Sequence, residues 1–564
     1  MKLELDEVRR LTGPNLLWDK PGAIVDVFIT DTDADAVAQC WQRWVHRLLD
    51  EFDWGQEEST YRLHADGANM AISAPMDALY TACEVAELAW DCAVAELLSL
   101  SEPDWQARLT ELSSELADEV NPELLRLIAA ANDQNVRWLS DDDDLSLGTG
   151  AGVKVWPVRE LPSIDTIDWD SFTDIQSALI TGTNGKSTSV RLAAEIAKAA
   201  GFNAGVTSTD FIRVGDDIID RGDYSGPGGA RMLLRDPRTQ MAFLEVARGG
   251  ILRRGLPVES VNAALVTNVA SDHLGQYGIN TVEELAEAKF VVAKALDAKS
   301  VLVVNADNEL VVNQAPKTGK TLCWFSVNEA NPLIQAQLQS GGRAVFVRSG
   351  KLIYHASGLF EEICAVNDVP MTFGGTAQHN IENALGVIGL CRCLKLPFSA
   401  IRQGLMSFSS DAEDNPGRGN VYQVDGRQVI VDFAHNEHSM RAVVDMVNRL
   451  PASQTITMFG HAGDRSDQDI ADLTDAVAAL DADLYIISEL AAYLRGRELG
   501  DVPAVVEKRL REKNVKDEQI YVAKDPLSGA KHALSVSKPG DVILLFVLDQ
   551  REQVHEWLSS QVTE

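Results

Sequence analysis

The sequence predicts an α/β protein: an N-terminal α+β domain, a central P-loop domain and a Rossmann-like C-terminal domain. Three observations carry this expectation. Apolar strand-like runs alternate with helical patterns from about residue 166 and again after Pro416, the mark of parallel sheets covered by helices. A glycine-rich turn, Thr-Gly-Thr-Asn-Gly-Lys-Ser-Thr at 181–188, joins one such run to a helix. At 564 residues the chain is too long for one core.

Taken in order, the first domain shows a strand-like run at 23–29 and a helical apolar pattern at 81–100. An acidic run at 141–144, glycines at 148–152, then Pro157 and Pro162 read as a junction, so this domain and its linker occupy 1–165. Strands are expected at 176–181, 241–247, 261–269 and 301–305 in a central domain of 166–412. Runs at 429–433, 456–459, 484–487 and 542–547 form the second alternating set, in a C-terminal domain of 413–564. No internal repeat or low-complexity segment is evident in the sequence.

The turn at 181–188 has the chemistry of a phosphate cradle. Backbone N–H groups of Gly182, Thr183, Asn184 and Gly185 point at an anion and the helix N-terminus adds partial positive charge; Lys186 reaches the outer phosphates and the Ser187 hydroxyl, followed by Thr188, can ligate Mg²⁺. Ile180 stands where the general pattern has glycine, so this is the shorter form of the loop. The helix behind it carries Leu192 and Ile196 one turn apart, an Arg191/Glu195 pair outside, and Gly201 as its stop.

Glu245 ends the run 241–244, and Asp272-His273 follows the run 266–269. Strand C-termini converge on the ligand crevice of a doubly wound sheet, which brings a carboxylate and an imidazole to the loop, as a Mg²⁺-triphosphate site requires. Thr281 to Glu284 forms a capping box that starts a helix carrying Lys289.

Composition excludes other classes. The N-terminus lacks the blocks of a signal peptide and no apolar stretch has the length of a membrane span, so a cytoplasmic protein with no membrane contact is expected. Seven scattered cysteines read as reduced thiols. A formal charge of −34 argues against nucleic acid and anionic membranes as partners.

In order and spacing, the residues resemble the Mur ligase family across about 175–550: the loop at 182–187, Glu245, Thr267-Asn268 with Asp272-His273, Lys289, Asn305 with Asp307, His379-Asn380 with Asn383, Gly417-Arg418, and Asp432 with Ala434-His435-Asn436. Ser225-Gly226-Pro227, the stretch 245–253, Gly463-Asp464-Arg465 and Arg495-Gly496-Arg497 look like the Mur-ligase half of the cyanophycin synthetases, and 9–15 resembles their N-terminal domain. Those enzymes carry an ATP-grasp domain between the two parts, for which this chain has no room.

The resemblance implies ATP-dependent, ADP-forming amide-bond formation through an acyl phosphate. It implies that Lys186 holds the phosphates, that Ser187 and Glu245 ligate one Mg²⁺ and His273 a second, and that Lys289 is carbamylated. It implies that Asn383 contacts adenine while Arg418 and Asp432 close from the C-terminal domain. Arg231, Arg248 and Arg253 are candidates for substrate carboxylates or plain surface arginines, Arg495 and Arg497 fall in the segment 493–497 where the resemblance implies that the incoming amino acid is read, and His435 is a further substrate candidate. The segment before Arg495 is apolar where cyanophycin synthetases place an acidic residue, which predicts an amine other than arginine. Three function classes stay open: a ligase acting on amino acids or peptides, a non-catalytic scaffold for a separate ATP-grasp ligase, and a mechanical or regulatory P-loop ATPase, which the Arg418/Asp432 pair disfavours. A homo-oligomer is compatible with all three.

Overall fold

A computed structural model describes residues 1–409, 411 and 415–562. The expected boundary at 412/413 therefore lies outside the described residues.

The chain begins with an antiparallel sheet ordered Lys2–Leu11, Gly22–Thr30, Gly67–Ser73, Ser59–His64. Helices Ala34–Glu51 and Leu79–Leu98 cover it, and Trp41, Leu48, Val85 and Met70 fill the core between them. The expected helix at 81–100 thus starts two residues earlier and ends two earlier, where Ser99 turns left-handed at φ 54°.

The region read as a junction holds a small sheet of its own: Trp138–Ser140, Asp144–Leu147 and Lys154–Pro157. Its acidic run is a turn. The Asp141 carboxylate accepts from the backbone N–H groups of Asp143 and Asp144 and pairs with Arg235 at 2.6 Å.

The central sheet has eleven strands, with the phosphate-loop strand Gln176–Thr181 between Met241–Glu245 and Val261–Val266, all parallel. Leu296–Asn305, Thr321–Ser326 and Arg343–Arg348 continue it in parallel, and antiparallel strands finish both edges. The strands expected at 241–247 and 261–269 stop at Glu245 and Val266, because the next residues leave the ladder to line the cleft. Helices Lys186–Ala199, Gln378–Cys393 and Phe398–Ser407 cover one face, where Ile180, Leu192, Ile196, Phe243 and Leu385 are fully buried. Arg248–Arg254 and Val282–Phe290 cover the other.

The C-terminal sheet runs Arg418–Val424, Arg427–Asp432, Val542–Phe546, Thr455–Phe459, Leu484–Ser488, Ile520–Ala523, parallel except for its first strand. The N-terminal unit grips the helix Arg248–Arg254 from behind. Arg9 Nη1 donates to the Leu252 carbonyl at 2.9 Å, and the Thr12 N–H donates to the Arg254 carbonyl at 2.9 Å. These bonds satisfy carbonyls that a helix C-terminus leaves open, and they fix the helix whose first residue faces the cleft.

Candidate active site

The C-terminal ends of strands Gln176–Thr181, Met241–Glu245 and Val261–Val266 meet the start of the C-terminal sheet across a cleft of about 700 Å³. Gly182 and Gly185 take positive φ of 149° and 84°. A Cβ on Gly182 would stand 1.9 Å from Thr267 Oγ1, and one on Gly185 2.1 Å from Asn383 Oδ1, so the turn and its neighbours close on bare backbone. Thr267 and Asn268 pin the loop: Thr267 Oγ1 donates to the Asn184 carbonyl at 2.7 Å, and Asn268 Oδ1 accepts the Asn184 N–H at 2.9 Å.

Lys186 and Ser187 open the helix Lys186–Ala199 and line the cleft with Thr183, Asn184, Gly185 and Thr188. Lys186 Nζ lies 3.0 Å from the Thr183 carbonyl. Ser187 Oγ is 3.2 Å from Thr209 Oγ1, a hydroxyl that the sequence reading missed because no motif spacing marks it.

Glu245 is 2% exposed, and neither carboxylate oxygen has a hydrogen-bond partner among the described residues. Burial pushes its pKa up, against the opposing pull of the Lys186 ammonium. Lys289 is 3% exposed and donates from Nζ to the Gly182 carbonyl at 2.9 Å. Burial, then repulsion by Lys186, pushes its pKa well below that of a free lysine, which favours the neutral, nucleophilic amine. The capping box is formed as expected, with Thr281 Oγ1 and Glu284 Oε2 exchanging bonds with each other's backbone N–H.

His273 takes a left-handed φ of 50°, and Arg248 donates to its carbonyl at 2.8 Å and to Gln276 Oε1 at 2.7 Å. Its ring faces His435 of the C-terminal side, with centroids 6.4 Å apart.

Arg418 and Asp432 pair in register on neighbouring strands, and the Arg418 guanidinium lies over the Phe433 ring at 4.9 Å. Burial raises the pKa of Asp432 to about 6. Asn436, which caps the helix Glu437–Val447, exchanges amide hydrogen bonds with Asn184 at 3.0 and 3.3 Å, so loop and C-terminal wall touch directly. Asn383 donates to Asn380 Oδ1 at 3.2 Å beside Gly185. Its neighbour Glu382 also lines the cleft, and burial pushes its pKa up to about 7. It was hidden in an unremarkable helical pattern.

Of the arginine and histidine candidates, Arg248, His435 and Arg495 line the cleft. Arg231, Arg253 and Arg497 do not line it: Arg231 Nε lies 3.3 Å from Asp141, Arg253 lies 3.9 Å from Glu7, and Arg497 donates to the Gly463 and Arg465 carbonyls. The apolar segment before Arg495 is also set back. Leu490 is buried, and the preceding Glu489 carboxylate accepts from the Gly500 N–H at 2.7 Å. From this side the cleft receives Asp464, held at 2.6 Å by Arg495.

Residues 180–391 match the Mur ligase middle domain and residues 417–546 the Mur ligase glutamate ligase domain. Across these regions the chain belongs to the Mur ligase family. It is 37% identical over 335 residues to cyanophycin synthetase from Synechocystis sp., a match covering 59% of this chain and 38% of that protein. The match thus spans under two fifths of that relative's length. Among solved structures, E. coli FolC in complex with DHPP and ADP superposes with a TM-score of 0.52 at 19% identity, covering 68% of this chain and 89% of that one. A bifunctional folylpolyglutamate synthase/dihydrofolate synthase with Mn, AMPPNP and L-glutamate bound gives 0.50 at 18% identity, covering 68% and 89%. Among the described residues, no helix is long and apolar enough to cross a membrane.

Proposed function

We propose that this chain is an ATP-dependent amide ligase, ADP-forming, that joins an amino acid or another amine to a carboxylate of an amino acid or peptide. The observation that carries the reading is the buried, unpartnered Glu245 carboxylate beside Lys186, with the buried Lys289 amine at the back of the same loop. A related protein's name, cyanophycin synthetase, and the ADP or AMPPNP, Mn and L-glutamate of the solved neighbours support it. Working units of 1–165, 166–412 and 413–564 accompany the reading.

In the proposed chemistry the acid's carboxylate oxygen attacks the γ-phosphorus of ATP, the bond to ADP breaks, and an acyl phosphate forms. The amine nitrogen then attacks the acyl carbon, phosphate leaves with the bonding pair, and the nitrogen loses a proton. Lys186 and the loop N–H groups neutralise charge on the phosphates, and Arg418 and Asp432 approach them from across the cleft. Asn383, beside Gly185, is placed to meet the base. Closure between the loop and Asn436 keeps water from the acyl phosphate.

A divalent cation fits the donor set, since hard carboxylate and hydroxyl oxygens of Glu245 and Ser187 face the loop and Glu245 has no hydrogen-bond partner among the described residues to displace. Such an ion would supply charge neutralisation on the phosphates, and His273 is the candidate for a second. The low pKa of Lys289 supports carbamylation, which turns the amine into an anionic oxygen donor.

Arg248, Arg495 and His435 line the cleft and are the candidates to bind substrate. Asp464 is already paired with Arg495 in a half-exposed ion pair, so a guanidinium substrate would compete for a carboxylate that is in use. A single addition with a non-arginine amine is expected, and no long polymer from aspartate and arginine by this chain alone. Mass spectrometry of products from pooled amino acids and short acidic peptides with ATP, with phosphate release alongside, checks this. Arginine winning the competition, or polymer appearing, would refute the specificity; ATP turnover without any condensed product would favour a scaffold or a plain ATPase.

A further inference from the structure

One carboxylate outside every motif joins the phosphate-loop helix to the C-terminal domain. Asp210 follows Thr209, the cleft hydroxyl 3.2 Å from Ser187 Oγ. One of its oxygens pairs with Arg191 of the helix Lys186–Ala199, and the other lies 3.1 Å from Arg551 Nη1. Helical spacing places Arg191 on the outside beside Glu195. It is instead fully buried, because Asp210 takes up one terminal nitrogen and Asn415 Oδ1 accepts from the other at 2.8 Å.

Both arms of this arrangement end on Arg418. Along the first, Asn415, held by Arg191, donates from Nδ2 to Thr188 Oγ1 at 3.3 Å, and its carbonyl accepts the Arg418 N–H at 3.2 Å. Along the second, Arg551 opens the helix Arg551–Gln561 and lays its guanidinium over the Phe433 ring at 4.5 Å. The Arg418 guanidinium lies over the same ring at 4.9 Å, and Phe433 lines the cleft. On the reading of this cleft as an ATP site, we propose that Asp210 and Arg551 are positioning residues for the nucleotide: their ion pair braces Phe433, which holds the Arg418 guanidinium in place. Neither residue belongs to the stretches that carry the family resemblance, and Arg551 lies beyond residue 546, where the match to the glutamate ligase domain ends.

Electrostatics give the carboxylate a second task. Burial raises the Asp210 pKa, but the Arg191, Arg418 and Arg551 guanidiniums outweigh burial and hold the carboxyl below the usual carboxylate range. Asp210 is therefore an anion at neutral pH. It offsets the mutual repulsion of three arginines gathered at one end of the cleft, and without it Arg418 and Arg551 have reason to move apart.

Exposure chooses the variant. Asp210→Asn would leave the buried Arg191 charge without its counter-ion, whereas the Arg551 side chain is 38% exposed and can be truncated without burying a charge. The test is isothermal titration calorimetry of Mg²⁺ and AMPPNP into the full-length protein. Arg551→Ala and Arg551→Gln should each weaken AMPPNP binding by about tenfold, and Arg551→Lys, which keeps the charge, by about threefold or less. Because Arg551 acts through Phe433, adding Arg551→Ala to Phe433→Leu should cost about threefold or less beyond Phe433→Leu alone. Circular dichroism checks that each variant is folded, and either neutral variant decides the matter. Wild-type affinity in a folded Arg551→Ala or Arg551→Gln, or the same tenfold loss with and without Phe433, overturns the proposal. A folded wild type that binds no AMPPNP overturns the nucleotide reading itself, and the positioning role with it.

Discussion

Lys186→Ala is expected to lower ATP-dependent turnover by about three orders of magnitude, roughly 4 kcal/mol in the barrier. Lys186 is the first residue of the helix Lys186–Ala199, where its ammonium adds to the positive end of the helix and faces the same cleft as the Glu245 carboxylate. Phosphoryl transfer asks little of a protein beyond positioning and charge neutralisation, so a cation at this point acts on the step directly. In the folded chain Nζ meets the Thr183 carbonyl at 3.0 Å, so alanine removes one partly exposed hydrogen bond and leaves the core intact. The melting temperature should therefore change by only a few degrees. Wild-type turnover in a folded variant would misplace the nucleotide.

Lys289→Ala should be the second most damaging change, with turnover down by about two to three orders of magnitude. Lysine is an unusual residue to bury at 3% exposure with a single carbonyl partner, the Gly182 oxygen, in view of another ammonium. Burial lowers its pKa and so raises the share of neutral amine, which can add CO₂ and lose a proton to become a carbamate whose negative charge offsets Lys186. The variant leaves a cavity that a small carboxylate can enter. Added formate or acetate should restore part of the activity in a concentration-dependent way, and the intact protein should gain the mass of CO₂ under bicarbonate. Full activity in Lys289→Ala, or a loss that no carboxylate relieves, would argue that the lysine serves the loop backbone alone.

The phosphate loop was legible because its chemistry is contiguous: strand, glycine turn, lysine, serine and helix lie in one run, and each local preference agrees with the next. Glu245 and Asp272-His273 were legible because they end apolar runs, and strand ends meet in a doubly wound sheet. Other features left no such trace. Thr209 and Glu382 reach the cleft through tertiary packing, and a threonine after a short strand or a glutamate within a helix carries no period that marks it. The small sheet at 138–157 was read as a junction because glycines and aspartates dominate its composition. Its turn depends on Asp141 meeting Arg235, which caps the helix Pro227–Leu234 and lies 94 residues on in the chain. The edge strands at 204–221 and 343–365 are short, and their pairing is set by neighbours rather than by their own alternation. Arg231 and Arg497 looked like substrate arginines by motif, yet their guanidiniums meet protein groups, a distinction that only three-dimensional contacts make.

In the proposed reaction a carboxylate is activated by the γ-phosphate of ATP. Hydroxylamine supplied in place of the amine, with the acid found by mass-spectrometric screening, tests it most directly. A hydroxamate of that acid is expected, formed in step with ADP and inorganic phosphate and lost in Lys186→Ala. Formation of AMP and pyrophosphate with the hydroxamate would show adenylation instead and contradict it.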